Sequence, residues 1–239
     1  MHYISILSTI VAFSFAASVI RRYAKRGGTH LLLWGIGLIL YGLGTLTETI
    51  FIFTYHPLLL KIWYLSGAML TAAWLGQGTV HLLIRKRGFA AVLTAILAVV
   101  SLAALALILA APVTQAAYQY DLPVSSQYED ILIRTGPVIA LTIILNIYGT
   151  LTLVGGALYS GFLFWRKKVL VNRLLGNILI AAGALMPAMG GSFIRAGFAD
   201  WLYLSEFLGA AVMYLGFITA SSPKAVPEKV VAKNIEQGV

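Results

Sequence analysis

Seven apolar stretches recur along this chain, each close to the roughly 20 residues that an α-helix needs to cross about 30 Å of hydrocarbon. We predict membrane-spanning helices at about 3–20, 30–54, 59–84, 89–112, 136–165, 170–194 and 201–220. Charged residues make up 10% of the chain, against roughly 25% in a soluble domain. The predicted fold class is therefore an all-α membrane protein. Residues 1–222 form one seven-helix transmembrane bundle, and residues 223–239 form a short basic tail.

The basic residues predict how the bundle is oriented, because lysine and arginine near the ends of spans are retained on the cytoplasmic side. Of the 17 basic residues, all except Lys61, Arg134 and Arg195 fall on one side of a seven-span chain. We therefore expect the N-terminus outside, the C-terminus in the cytoplasm, and a multi-pass location in the inner or plasma membrane. This distribution accounts for the net charge of +9 without a nucleic-acid partner. The first stretch carries its basic cluster after the apolar run, which favours an uncleaved span over a signal peptide.

Glu48 interrupts an apolar run, "TLTETIFIF". Because lipid does not solvate an ionised side chain, such a carboxylate normally faces protein or a water-filled cavity and is a functional candidate. Glu206, Trp63, Tyr64 and Arg195 fall at a similar predicted depth. We predict that these five residues line an outward-facing ligand site. The alternative is an ordinary interfacial belt of aromatic residues, with ion pairs that pin helix ends together.

Other polar and small residues point to contacts between helices. The candidates for hydrogen bonds between spans are Gln77, Asn146, Tyr148 and Asn177. Ala68, Ala72 and Gly76 form a ladder of small residues that lets a neighbouring helix approach closely. This ladder is expected to be buried inside the bundle, with a homodimer contact as the alternative.

Two further segments have a structural and a functional interpretation. Pro187, Gly190 and Gly191 predict a kink in the sixth span, either a hinge for signal transmission or a static bend. The longest loop contains tyrosines 118, 120 and 128. Because tyrosine favours the headgroup level, this loop is either an amphipathic cap over the bundle or an ordinary connection.

Most enzyme and cofactor chemistries lack the residues that they require. The chain has no cysteine, which excludes disulfides, thiolate metal sites and cysteine nucleophiles. The last apolar stretch has no lysine that could hold retinal. His30 and His81 are weak candidates for a metal or haem pair. We identify no cofactor and no catalytic residue, although a bound lipid or quinone stays open.

A basic loop at 21–26 precedes a helix with Trp34 near its start and Glu48 towards its end. This helix is followed by a short outer turn, then by the aromatic-rich segment "KIWYLSG", and then by Trp74 before the next basic end. The last two spans are Gly-rich and joined by a small loop, in "NRLLGNILIAAGALMPAMGGSFIRAGF". This pattern resembles the N-terminal seven-helix region of certain bacterial and archaeal sensor histidine kinases. The resemblance implies a ligand- or membrane-sensing input module followed by a kinase, whereas here a basic tail follows the last span.

Three function hypotheses result. The first is a receptor-like sensor with an outward-facing site, signalling through a separate cytoplasmic or membrane partner. The second is a non-catalytic subunit of a larger membrane complex that binds lipid, quinone or pigment. The third is a small transporter or membrane enzyme.

Overall fold

The computed structural model describes residues 3–84, 86, 88–114, 118–166, 171–190, 196–198 and 200–221. Its helices are α1 Ile4–Arg26, α2 Thr29–Phe51, α3 Pro57–Trp63, α4 Thr71–Leu83, α5 Phe89–Ala110, α6 Val124–Ile131, α7 Gly136–Arg166, α8 Val171–Ala188 and α9 Asp200–Ser221. A π-helical segment joins α3 to α4 into one continuous span. Within the described residues, seven helices are long and apolar enough to cross a membrane. The predicted all-α, seven-helix fold of a multi-pass membrane protein is confirmed.

Helix ends differ from the predicted boundaries where charged or turn-forming residues decide them. The first span was predicted to stop at residue 20, but α1 continues to Arg26. Basic side chains stabilise the last turn of a helix because they oppose the partial negative charge of its carbonyl end. Gly27, with φ of 65°, then ends the helix in a conformation that costs glycine little.

Six of the spans close into a ring in the order α1, α2, α3–α4, α7, α8, α9 and back to α1. The remaining span, α5, lies outside the ring and packs loosely against α4. Most of its surface faces lipid, including Val92, Val99 and Leu102. Helix α5 therefore depends on a few specific contacts for its attachment.

Glycine residues allow several ring helices to approach backbone to backbone. A Cβ atom added to Gly183 on α8 would lie 2.7 Å from the Gly209 carbonyl oxygen on α9. A Cβ atom on Gly149 of α7 would collide with the backbone of Ala72 on α4. The ladder of Ala72 and Gly76 is thus buried inside the bundle against α7. The alternative of a homodimer contact through Ala68, Ala72 and Gly76 stays a prediction.

The π-helical segment Tyr64–Leu70 was not predicted, and it widens the third span next to α2. The hydroxyl of Ser66 donates to the Ile62 carbonyl oxygen over 2.6 Å, which competes with the regular helical bonds. Gly67 lies against Gly44 of α2, one helical turn before Glu48. Such segments are frequent at functional sites. Here the segment follows directly after Trp63.

The ends of the spans fall on two sides of the bundle. At the basic end lie Arg26, Lys86, Arg166 and Arg173. The opposite, capped end is covered by residues 118–134, which we call the cap. The cap contains α6, and an isolated antiparallel bridge between Val113 and Leu132 closes its base. Which end faces the cytoplasm stays a prediction.

Pro187 lies in the last turn of α8, which ends at Ala188. Its ring faces α9, because a Cβ atom on Gly209 would lie 2.7 Å from Pro187 Cδ. Gly190 is buried, whereas Gly191 lies outside the described residues, as do residues 222–239 of the predicted basic tail. A hinge at this position therefore stays a prediction.

Candidate functional site

Two carboxyl groups meet inside the capped half of the ring. Glu48 is only 4% exposed. The carboxyl group of Glu206 on α9 lies against it within hydrogen-bonding reach. The Oε2 atom of each glutamate is buried, and no other hydrogen-bond partner reaches it from the described part of the chain. Neither carboxyl forms an ion pair with a described lysine or arginine.

Neighbouring side chains fix the positions of both glutamates. The Trp63 indole Nε1 donates to Glu48 Oε1 over 2.8 Å. The Tyr41 hydroxyl on α2 donates to the backbone carbonyl oxygen of Glu206 over 2.6 Å. Glu206 is thus tied to α2 through its main chain as well as its side chain. Since α1 lies between α2 and α9 in the ring, these contacts are the bridge between the two helices at this level.

The contact between the two carboxyl groups requires a proton. A carboxylate has only acceptor atoms, so a hydrogen bond between two carboxyl groups needs one of them protonated. Two ionised groups in contact, without a cation, would repel each other strongly in a poorly solvated interior. A hydrogen bond between Glu48 and Glu206 therefore requires one proton shared between α2 and α9.

The cap covers this pair through aromatic contacts. The ring of Tyr128 on α6 lies 5.4 Å from the Trp63 ring and 5.6 Å from the Tyr64 ring, measured between centroids. The Arg134 guanidinium lies 4.8 Å from the Tyr128 centroid and forms a 2.9 Å salt bridge with Glu129. Trp63, which donates to Glu48, is thus covered directly by the cap.

A second set of contacts joins the cap to α2 and α9. Tyr118 stacks on Tyr55 with ring centroids 4.2 Å apart, and its hydroxyl donates to the Phe51 carbonyl oxygen over 3.4 Å. The hydroxyl of Tyr203 on α9 hydrogen-bonds to the backbone of Val124 at the start of α6. A movement of the cap would therefore act directly on α9, three residues from Glu206.

The cap is expected to loosen at alkaline pH. Burial, reinforced by Tyr120 and Tyr55, raises the pKa of Tyr118 from 10.0 to about 12. Burial, opposed by Arg134 and reinforced by Glu129, raises the pKa of Tyr128 to about 12 as well. Because these folded-state values exceed the unfolded one, the stabilisation is complete below pH 10 and is lost as the pH rises towards 12.

Ultraviolet absorbance of tyrosinate, recorded against pH, measures this change. Tyr118→Phe should remove one group from the late titration step, and Tyr120→Phe, at an exposed position, is the control for the loss of any tyrosine. Ionisation of Tyr118 and Tyr128 near pH 10 would contradict the buried contacts described above.

The structure brings together three of the five residues predicted for the site: Glu48, Trp63 and Glu206. Tyr64 lies beside them, with its hydroxyl 3.1 Å from Thr142 Oγ1. Arg195 lies outside the described residues. The predicted outward-facing pocket is covered by the cap, because this segment carries the aromatic side chains that pack on Trp63 and Tyr64.

Sequence reasoning missed Tyr41 as part of the site, whereas Tyr203 falls at the predicted depth of the site. A periodic signal for both was available. Tyr41 lies seven residues before Glu48, and Tyr203 lies three residues before Glu206, so each shares a helix face with its glutamate. The contact of Val124 with Tyr203 had no such signal, since it joins segments nearly 80 residues apart.

A second feature is an apolar cavity of about 40 Å³ at the centre of the ring, on the basic side of the pair. Each ring span contributes to its lining, which consists of Phe15, Val19, Trp34, Leu38, Leu75, Leu153, Ile180, Met213 and Phe217. It is too small for a quinone or pigment ring. The cavity instead leaves the ring helices some room to shift against each other.

Gln77 forms a polar hub that attaches α5 to the ring. Its side chain is completely buried and donates to the Ala90 carbonyl oxygen over 2.9 Å and to Thr94 Oγ1 over 2.8 Å. Its carbonyl oxygen accepts from the Tyr148 hydroxyl on α7. Asn146 also joins two spans, because its Nδ2 donates to the Ala68 carbonyl oxygen over 2.7 Å. Three spans thus meet at Gln77.

Asn177 was also predicted to hydrogen-bond between spans, but its amide donates to the Arg173 carbonyl oxygen of its own helix. This difference provides a matched pair of variants. Gln77→Leu should lower the free energy of unfolding by roughly 2 kcal/mol, since three hydrogen bonds at about 0.6 kcal/mol each are lost. Asn177→Leu should change it by less than about 0.5 kcal/mol. Unfolding in detergent, followed by circular dichroism, compares the two, and equal losses would contradict the hub.

His30 and His81 take structural contacts at the basic end. The His30 ring lies edge-on to Trp34, with centroids 5.4 Å apart. His81 Nε2 lies 2.8 Å from Thr94 Oγ1, next to the Gln77 hub. The described residues contain no group of three or more histidine, aspartate or glutamate side chains that could hold a metal ion.

Comparisons with protein-family models, with curated proteins and with solved structures found no match. The resemblance to sensor histidine kinases therefore stays a prediction.

Proposed function

We propose that this protein is a receptor-like membrane sensor whose switch is the Glu48–Glu206 pair beneath the cap. The observation that carries the proposal is the burial of two facing carboxyl groups from helices that are far apart in the sequence. Such a pair contributes little to stability that apolar side chains would not supply, so its presence favours a functional role. The alternative of a non-catalytic subunit has no comparable support.

The cap supports a sensor more than a small transporter or a membrane enzyme. The cap is anchored by the buried side chains of Val124, Ile131 and Leu132. Its other contacts include aromatic stacking, a surface ion pair and single hydrogen bonds, which a ligand or a change of conditions can exchange at low cost. Beneath it, Trp63 contacts both Glu48 and Tyr128. A ligand that displaces Tyr128 would therefore change the surroundings of the pair.

Helix α9 offers a route from the pair to the basic end. Glu206, Met213 and Phe217 follow at intervals of seven and four residues, so they share one face of the helix. Met213 and Phe217 line the central cavity, and the Arg22 guanidinium lies 5.5 Å from the Phe217 centroid. A shift of α9 would be felt at the basic end, where we place a cytoplasmic or membrane protein partner in the inner or plasma membrane.

Gentle purification of the full chain from its native membranes tests this function. Mass spectrometry of the purified material should identify a protein partner and a small molecule retained by the parent chain. Glu48→Leu should lower the amount of both, whereas Asp130→Asn, at an exposed carboxyl of the cap, should leave them unchanged.

Two outcomes would contradict the proposal. A complex of fixed stoichiometry that is unaffected by Glu48→Leu would favour the subunit hypothesis. Recovery of the protein with neither a partner nor a ligand in every preparation would contradict both the sensor proposal and the subunit hypothesis.

A further inference from the structure

We infer that the input to the Glu48–Glu206 pair is a proton, whose loss to the capped side separates α9 from α2. This inference depends on the proposed sensor function only for what happens downstream of the pair. The pair itself can be tested in the purified chain, without any partner.

The contact between the two carboxyl groups needs a proton because of what surrounds them. The Oε2 atom of each glutamate is buried and has no donor among the described residues, and the two carboxyl groups lie within hydrogen-bonding reach of each other. Trp63 donates to Glu48 Oε1. One negative charge can be tolerated beside an indole N–H, but a second charge at the same position finds no donor and no cation among the described residues.

Within the described part of the chain, the groups around the pair add no compensating positive charge. From α2 the pair faces Tyr41, and from α9 it faces Tyr203. From α3 it faces the neutral indole of Trp63. The nearest parts of α1 contribute hydroxyl groups, since Thr9 bonds to Thr49 of α2 over 3.3 Å. Every described neighbour is thus neutral or becomes negative on ionisation.

The path of the proton depends on what lies on each side of the pair. Towards the basic end, the apolar side chains around the central cavity separate the pair from water. Towards the cap, Tyr203 contacts the backbone of Val124. The next residue, Ser125, is 1% exposed, and its Oγ meets no partner in the described chain. The capped side of the pair thus carries the hydroxyl groups of Tyr203 and Ser125, whereas the cavity on the basic side is lined by apolar side chains and Trp34.

Loss of the proton weakens the link between the capped ends of α2 and α9. Because α1 lies between α2 and α9, the capped ends of these two helices are joined here by the carboxyl pair and by the Tyr41 hydroxyl. When the proton leaves, the O–H bond of one carboxyl breaks, the bonding electrons stay on its oxygen, and the proton passes to water. Two carboxylates then repel each other where the side chains of α2 and α9 meet, and the Tyr41 hydroxyl bond is left to hold the two helices together.

Two measurements on the full chain in lipid nanodiscs test this inference together. Infrared spectroscopy follows the C=O stretch of the protonated carboxyl, identified as the band that Glu48→Gln removes. Because the chain contains no cysteine, spin labels can be placed without background at Phe53→Cys and Phe198→Cys, both exposed positions at the capped end. Electron–electron resonance then reports the distance from the α2 end to the α9 end.

We expect the carboxyl band to disappear and the label distance to lengthen with the same midpoint as the pH is raised. The titration stops below pH 10, where Tyr118 and Tyr128 are still neutral. In Glu48→Gln the amide supplies a donor that does not ionise, so the distance should stay short at every pH. Glu206→Gln is the second variant with the same expectation, and Asp130→Asn should respond like the parent chain.

Several outcomes would overturn the inference. These are a band that persists at all pH values, a band that disappears while the distance stays fixed, and a distance change that survives in both glutamine variants. The titration is repeated with choline in place of sodium, and a midpoint that depends on sodium would assign the site to a metal cation instead. If the proton inference fails, the proposed sensor function remains with another ligand, because the purification from native membranes tests that function separately.

Discussion

Gly149→Ala is expected to lower the midpoint of thermal unfolding by about 10 °C. The added methyl group would collide with the backbone of Ala72 and lie 2.6 Å from the backbone nitrogen of Ala73. A backbone does not rotate away as a side chain does, so α7 and α4 must separate along their contact. Overpacking of this kind costs on the order of 3 kcal/mol, and each kcal/mol shifts the midpoint by roughly 2 to 4 °C in a chain of this size.

Gly155 on the same helix supplies the control. A Cβ atom there would meet nothing within 4 Å, and the residue is exposed. Gly155→Ala should be neutral or stabilise the protein by up to about 1 kcal/mol, because alanine is the better helix former. The same loss in both variants would mean that helix propensity, and not the contact between α4 and α7, decides the result.

The second large effect is expected in a double-mutant cycle on the carboxyl pair. Glu48→Leu leaves the Trp63 indole N–H and the Glu206 carboxyl buried without partners, at about 1 to 3 kcal/mol each. Glu206→Leu leaves only the Glu48 carboxyl deprived of its partner, since Trp63 still donates to Glu48. We therefore expect Glu48→Leu to be the more destabilising single change, by about 2 kcal/mol.

The double variant should cost less than the sum of the two single variants. Once both carboxyl groups are gone, neither remains buried alone, so a coupling of about 1 to 3 kcal/mol is expected. Equilibrium unfolding of the four proteins in one detergent measures it. Glu129→Leu, at a carboxyl that is 62% exposed in a surface ion pair, should cost less than about 1 kcal/mol. Additive single changes would show that the two glutamates do not interact.

Several features of the site were predictable because a single residue or a short local pattern in the sequence indicates them. Glu48 indicated a protein-surrounded carboxyl group, since a charge in an apolar run has no acceptable place in lipid. Trp63 and Glu206 followed from their predicted depth. The small-residue ladder at Ala72 and Gly76 likewise indicated a close helix contact inside the bundle.

Other features depended on contacts that no local pattern records. The donation from Tyr41 to the main chain of Glu206 joins residues 165 positions apart. The π-helical segment after Trp63 arises where Gly67 meets Gly44 of another helix. Asn177 is a residue type that often hydrogen-bonds between helices. Its side chain instead donates to the Arg173 carbonyl oxygen of its own helix, α8.

The sequence by itself determined that this chain forms seven membrane-spanning helices, because the length and apolarity of each stretch are set by the thickness of the bilayer and need no partner. Only the tertiary structure decided which helices are neighbours, that α5 lies outside the ring, and that two glutamates meet under a cap. The physical reason is that lipid is as apolar as the side chains, so hydrophobicity places helices in the membrane without arranging them. Their arrangement depends on glycine contacts and on a few hydrogen bonds, and these exist only between residues that the fold has brought together.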